Sequence, residues 1–324
     1  MYQKDLDGDE RVLHNFDLFT GNGFGQPDQG VIRDSDGNLY WATFIGQADV
    51  YYGFGVVYKV DPSGHATVLH NFTNGADGGY PNSVIRDSKG NLYGTAGGGG
   101  ASGNGVVFKI DTSSNETVLY SFTGAADGAG PNGGLIRDPA GNLYGTTNGG
   151  GSGAAGVVFK IDTSGNETVL YSFTGGADGG YPLNGVIRDS AGNLYGTTQV
   201  GGASGNGVVF KIDTSSNETV LYSFTGGADG SIPAWAVLAR DSAGNLYGTT
   251  AFGGASGNGV VFKIDTSSNE TVLHSFTGGT DGSTPFAGVV LGPNGNRYGS
   301  RADRDNLNGI QRNSAASRDG FANK

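Results

Sequence analysis

The sequence predicts an all-β chain, a six-bladed β-propeller with four antiparallel strands per blade. Three observations carry this: 63 glycines among 324 residues, a repeat of 51–53 residues, and four short β runs inside each repeat. The glycine share is far above the roughly 7% of ordinary chains. It is clustered rather than placed at every third position, which excludes collagen. Short dense runs of Val, Ile, Leu, Phe and Tyr exclude a disordered chain, so the glycines read as punctuation between strands.

The repeat shows in three markers. Asn-Leu-Tyr begins at Asn38, Asn91, Asn142, Asn193 and Asn245, with Asn296-Arg297-Tyr298 as a degenerate copy. Gly-Val-Val-Phe/Tyr-Lys begins at Gly55, Gly105, Gly156, Gly207 and Gly259. Val-Leu-His/Tyr-x-Phe begins at Val12, Val68, Val118, Val169, Val220 and Val272. Three markers sharing one period define a tandem repeat.

The unit at 185–224 shows the strands in order. Residues 185–190 are strand a, and Ala191-Gly192-Asn193 supplies turn chemistry. Residues 194–198 are strand b, followed by a glycine-rich loop at 201–206. Strand c is 207–212, Asp213 opens a tight turn, and strand d is 219–224. No stretch has helical periodicity. Four strands in such a period match a propeller blade, and near-continuous apolar runs suit sheets buried on both faces. A right-handed β-solenoid is the rival; its turns are usually shorter and lack a hairpin between every strand.

Five complete units fill 31–276, and a sixth begins at Gly288. The chain opens with an orphan strand d, Arg11–Phe16, so the two termini are expected to share the last blade. Two segments claim that blade's strand c. Asn308–Arg312 keeps the repeat phase and the Asn-Gly before strand c, while Tyr2–Asp5 aligns with Phe108–Asp111, and Glu10 with Glu116. The domain reading is one propeller over 1–312 and a polar tail over 313–324.

Composition narrows the function. Thirty acidic against 19 basic residues give a net charge of −11, which repels nucleic acid and acidic membranes. No apolar run approaches the roughly 20 residues of a membrane helix, so no membrane insertion is expected. The first residues, Met1–Asp5, carry no apolar segment of the secretory type. With no cysteine there is no disulfide, thiolate nucleophile or zinc-thiolate site, and the redox compartment stays open.

The Leu-Tyr-Gly-Thr-Thr and Gly-Val-Val-Phe-Lys segments, with the Thr-Gly-Gly-Ala-Asp-Gly turn, resemble the GloVer-type tandem repeats of bacterial surface proteins over roughly 11–312. The resemblance implies an extracellular or cell-surface location. It brings no established activity and no functional residues. The units are also distantly similar to NHL-type blades, which implies a binding platform.

The repeats serve as an internal alignment: a group recurring in every blade reads as architecture, and a departure is free for function. His14, His70 and His274 replace a repeated strand d tyrosine, and His65 lies in a turn, so no histidine cluster is expected. Glu116, Glu167, Glu218 and Glu270 recur in one turn motif. Asp87, Asp138, Asp189 and Asp241 open a–b turns, and Asp77, Asp127, Asp178, Asp229 and Asp281 recur in the d–a turn. Asp5–Glu10 resembles a calcium loop but lacks the required Gly and Glu spacing. Asn71, Asn115, Asn166, Asn217 and Asn269 head Asn-x-Thr sequons and suit turns equally well. The glycine-rich loops precede no helix and hold no phosphate. Catalytic residues, metal ligands and cofactors are therefore all expected to be absent.

The departures lie in the d–a and b–c loops, which emerge on one side of the blades. Asp28, Asn82, Asn132 and Gln199 would supply hydrogen bonds there. Trp41, Phe44, Tyr80, Tyr181, Trp235, Phe252 and Phe286 would supply stacking or apolar contact. Both tryptophans replace repeat residues. The resulting expectation is a non-catalytic module that recognises a glycan or protein. A self-assembling surface or fibre protein, associating through exposed blade edges, is the alternative. An axial lyase or hydrolase ranks third, because the repeats offer no convergent acid–base or metal set.

Overall fold

The computed structural model describes residues 2–4, 10–12, 30–46, 53–233, 237–285, 288–291 and 297–298. Every regular element among them is a β-strand. The strands fall in two compact units, one comprising 1–151 with 159–169 and the other 152–158 with 170–324.

Five four-stranded sheets follow the repeat. The first joins β3 (Ile32–Arg33), β4 (Leu39–Thr43), β5 (Val56–Val60) and β6 (Ala66–Asn71). The second joins β7 (Gly79–Arg86), β8 (Leu92–Gly98), β9 (Val106–Ile110) and β10 (Glu116–Ser121). The third is β11 (Ile136–Arg137), β12 (Leu143–Thr147), β13 (Val157–Ile161) and β14 (Glu167–Ser172). The fourth is β15 (Ile187–Arg188), β16 (Leu194–Thr197), β17 (Val208–Ile212) and β18 (Glu218–Ser223). The fifth is β19 (Ala239–Arg240), β20 (Leu246–Thr250), β21 (Val260–Ile264) and β22 (Glu270–Ser275). In each the order is a–b–c–d with antiparallel neighbours, as the turn spacing predicts. Strand a is shorter than its apolar run. It is two residues long outside the second sheet, where it runs to eight and takes in Pro81.

Two hairpins complete the strands. β1 (Tyr2–Lys4) pairs with β2 (Glu10–Val12) in the register Tyr2↔Val12, Gln3↔Arg11, Lys4↔Glu10. This is the register of strands c and d in the second sheet, Phe108↔Val118, Lys109↔Thr117, Ile110↔Glu116. The N-terminal claimant thus forms a c–d hairpin, whereas Asn308–Arg312 lies outside the described residues. At the other end β23 (Val290–Leu291) pairs with β24 (Arg297–Tyr298), in the a–b register of Ile136↔Tyr144 and Arg137↔Leu143.

Apolar packing joins consecutive sheets within each unit. In the first, Tyr40, Val57, Phe72, Val84, Leu92 and Phe108 share one core cluster. In the second, Val209, Phe224, Leu238, Leu246, Val260 and Phe262 form its counterpart. A phenylalanine after strand d meets the strand c phenylalanine of the next sheet edge-on. The four pairs are Phe72–Phe108, Phe122–Phe159, Phe173–Phe210 and Phe224–Phe262, with centroids 5.0–5.1 Å apart. Such pairs add about 0.5–1.5 kcal/mol beyond area burial.

The glycine before strand c shows why that residue repeats. Gly105 has φ +92°, and a Cβ there would lie 2.4 Å from Pro131 Cδ and 2.6 Å from the Ala96 carbonyl oxygen. Gly55, Gly207 and Gly259 face Pro81, Pro233 and Pro285 in the same way. Each glycine therefore makes room for the proline that opens the next repeat.

Candidate functional site

The d–a and b–c loops are built on a feature absent from the sequence reading. The residue before the shared proline has a left-handed backbone in all five described repeats: Tyr80 (φ 60°), Gly130 (61°), Tyr181 (56°), Ile232 (57°) and Thr284 (48°). For β-branched Ile232 and Thr284 this conformation is strained. Hydrogen bonds to the backbone hold it. The N–H of each donates to the residue that precedes the strand c glycine of the repeat before: Tyr80 to Phe54 O (2.6 Å), Gly130 to Asn104 O (2.9 Å), Tyr181 to Ala155 O (2.7 Å), Ile232 to Asn206 O (2.9 Å) and Thr284 to Asn258 O (2.8 Å). The carbonyls of Gly130, Tyr181 and Ile232 accept from Asn148, Gln199 and Ala251 in the b–c loop.

In the first unit this geometry gathers an aromatic shelf. The Tyr80 ring lies 5.2 Å from Phe44 and 5.7 Å from Phe54, centroid to centroid. It rests on Gly98, where a Cβ would come within 3.0 Å of the ring. Asn132 is half-buried, and its Oδ1 lies against Gly97, 2.5 Å from where a Cβ would stand. Phe44 is exposed and Tyr80 half-buried. In the second unit Tyr181 and Phe252 are exposed and Gln199 is half-buried. The structure thus brings Phe44, Phe54 and Tyr80 to one place, sets Asn132 against the neighbouring Gly97, and ties Gln199 to Tyr181 through the backbone.

Two expected contacts are corrected. Trp41 is fully buried and packs on Tyr58, ring centroids 4.1 Å apart. It faces Tyr58 across the b–c ladder, where the second sheet pairs Gly94 with Phe108. A Cβ at Gly94 would lie 2.5 Å from the Phe108 ring. The Trp–Tyr pair therefore fills the space otherwise taken by Gly–Phe, and Trp41 is a core residue. Asn82 is also buried. Its Nδ2 donates to Pro131 O (3.0 Å) and Thr95 Oγ1 (3.4 Å), tying the second repeat to the third. Asp28, Trp235 and Phe286 lie outside the described residues.

The repeated carboxylates close turns. Asp34 accepts from the N–H (2.8 Å) and Nδ2 (2.9 Å) of Asn38, the Tyr40 hydroxyl (3.0 Å) and the Asp36 N–H (3.0 Å). Burial alone would raise its pKa, but these donors outweigh it and hold the group at about 2. Asp87, Asp138, Asp189 and Asp241 make the same Asn and Tyr contacts and are lowered for the same reason, against desolvation. In the d–a turn Asp127 accepts from Thr123 N–H (2.7 Å), Thr123 Oγ1 and Tyr120 OH (3.0 Å). His70 replaces the tyrosine beside Asp77, Nε2 to Oδ2 3.2 Å, and burial lowers its pKa against that contact. Among the described residues no group of three or more His, Asp or Glu side chains is placed to hold a metal ion.

The seam glutamates behave otherwise. Glu116, Glu167, Glu218 and Glu270 begin strand d and are half-buried, each with a solvent-inaccessible Oε1 that has no hydrogen-bond partner. Burial first, and the d–a aspartate of the preceding repeat second, raise each to about 7.

Comparison with known proteins identifies the family. The chain belongs to the Gloeobacter/Verrucomicrobia repeat family, whose model matches residues 1–188 and 117–310. No curated protein matches it in sequence. Among solved structures, the extracellular domain of a candidate one-component system from B. thetaiotaomicron matches with TM-score 0.54 at 17% identity, over 88% of this chain and 34% of that one. A luciferin-regenerating enzyme matches with TM-score 0.51 at 16% identity, over 86% and 85%. A candidate 6-phosphogluconolactonase from Bacteroides uniformis matches with TM-score 0.50 at 15% identity, over 85% and 81%. These likenesses establish a propeller-like fold of repeated four-stranded sheets. They also correct the reading of the chain as a non-catalytic recognition module, because enzymes stand among the proteins that share this fold over most of their length.

Proposed function

We propose that this member of the repeat family is a hydrolase acting on a small, neutral ester or lactone at its d–a/b–c loop side. The observation that carries the location is the left-handed pre-proline residue. Its backbone is fixed whatever side chain it bears, so Tyr80 can be presented beside Phe44 and Phe54 for contact with a substrate. The reaction class draws on the fold shared with the luciferin-regenerating enzyme and the candidate lactonase. A net charge of −11 favours an uncharged substrate over a phosphorylated one.

Asp28 is assigned the base by its place in the repeat. It follows Pro27, where the other repeats have Asn82, Asn132, Leu183, Ala234 and Phe286, so it is the one carboxylate of the series. It takes a proton from water as the water oxygen attacks the carbonyl carbon. The same proton returns to the alkoxide when the acyl C–O bond breaks. The Tyr80 hydroxyl is the donor for the developing oxyanion. The full chain is assayed against neutral aldonolactones and aryl esters. Turnover that falls at least ~100-fold in Asp28→Asn, with unchanged thermal unfolding, supports the reading. No turnover on the whole panel, or full activity in Asp28→Asn, overturns it.

The proposal extends to six blades. The N-terminal hairpin has the c–d register and the β23–β24 hairpin the a–b register, so together they supply the strands of a sixth unit. Deleting residues 1–12 would then cost about 3 kcal/mol or more in chemical denaturation, the scale of a lost core contact. An unchanged unfolding midpoint contradicts a sixth blade closed in this way.

A further inference from the structure

We propose that the seams between consecutive sheets form a proton-dependent lock, in which each seam glutamate is held protonated while the sheets are closed and its ionisation loosens them. The arrangement occurs twice in each unit and is independent of the hydrolytic reading. On one side of the seam stands Glu116, Glu167, Glu218 or Glu270, at the first residue of strand d. On the other stands Asp77, Asp127, Asp178 or Asp229, in the d–a turn of the preceding repeat.

The two carboxyls are treated differently by their surroundings. Asp127 is committed to its ionised form by the Thr123 N–H, the Thr123 hydroxyl and the Tyr120 hydroxyl. Asp178 and Asp229 have the same three donors from Thr174 with Tyr171 and from Thr225 with Tyr222. Asp77 has Thr73 and the Nε2 of His70. No donor reaches the Oε1 of the glutamate, which is sealed from solvent. The groups facing it from the preceding repeat are the aspartate and, beside it, a tyrosine in three seams, whose hydroxyl is spent on that aspartate, or His70 in the first, which burial keeps toward its neutral form. Along its own hairpin, Glu116 stands opposite Ile110, and Lys109 stands opposite Thr117. Burial and the facing aspartate act on the glutamate with no cation to offset them. A proton resolves the conflict, since a neutral carboxyl can remain beside the fixed aspartate where a second charge is disfavoured.

The sign follows from linkage. The folded-state value of about 7 lies above the ordinary 4.5 of an unfolded glutamate, so the folded chain binds more protons between these values. The contribution is fully present below about 4.5 and is lost as the pH rises through about 7. In that window the unfolding constant rises by up to about tenfold per pH unit for each glutamate.

Urea unfolding of the full chain between pH 5 and 9 tests this, alongside the variant E116Q/E167Q/E218Q/E270Q. The lock predicts a midpoint that falls with pH in the parent and stays level in the variant, which overtakes the parent above pH 8. A parallel fall in both, or a level parent, overturns it. Should the quadruple variant not fold, carboxyl carbon NMR of the parent reads the protonation directly. Four glutamate titrations near pH 7 support the lock, and midpoints near 4.5 overturn it.

Discussion

The a–b turns and the d–a/b–c loops solve one problem, closing backbone hydrogen bonds at the ends of short strands, with different parts of the residue. In the a–b turns the side chain does it. Asp34, Asp87, Asp138, Asp189 and Asp241 each gather an Asn N–H, an Asn amide and a Tyr hydroxyl. In the loops before the shared proline the main chain does it, through the N–H of Tyr80, Gly130, Tyr181, Ile232 or Thr284. The first arrangement forces one residue type into every repeat. The second tolerates Tyr, Gly, Ile and Thr, and so leaves the side chain free for other uses.

Trp41 tests whether every departure from the repeat is free. It differs from its counterparts, yet its side chain fills the core. Trp41→Ala should cost about 3–5 kcal/mol in chemical denaturation; a neutral result would place this sheet's core elsewhere. Asp138→Ala comes next. It removes the acceptor shared by the Asn142 N–H, the Asn142 amide and the Tyr144 hydroxyl, a loss of about 2–4 kcal/mol, read from the urea midpoint. Ile232→Gly should shift stability by less than about 1 kcal/mol, and upward, because glycine accepts φ 57° without strain. A large loss would show that the Ile232 side chain is structural after all.

Acid sharpens the same contrast. Asp34 is held at about 2, below the ordinary 3.8 of an unfolded aspartate. Its stabilisation is present above about 3.8 and disappears as the pH falls toward 2. Asp34→Asn should therefore weaken the acid dependence of unfolding and leave the alkaline limb unchanged.

Strand order and turn chemistry were legible because each repeat spells them with the same residues. Site assignment was legible only in part. A departure from the repeat marks a position as different without telling which way it faces. Tyr40 and Trp41 alternate across a strand buried on both faces, so Trp41 reads like a surface aromatic while standing in the core. Asn82 reads like a free amide, but its partner Pro131 O lies in the next repeat. The seam glutamates were invisible for the same reason, since the aspartate that opposes each belongs to the preceding repeat. The left-handed residues gave no cue beyond Gly130, because Tyr, Ile and Thr are not the residues that conformation favours.

The central claim is that positions fixed through their main chain are the ones available for function. It is tested most directly by Tyr80→Gly, with urea unfolding and lactone or ester turnover measured on the same protein. The account predicts a stability change within about 1 kcal/mol with turnover reduced at least ~100-fold. A chain that unfolds several kcal/mol more easily, or one that turns over substrate undiminished, would contradict it.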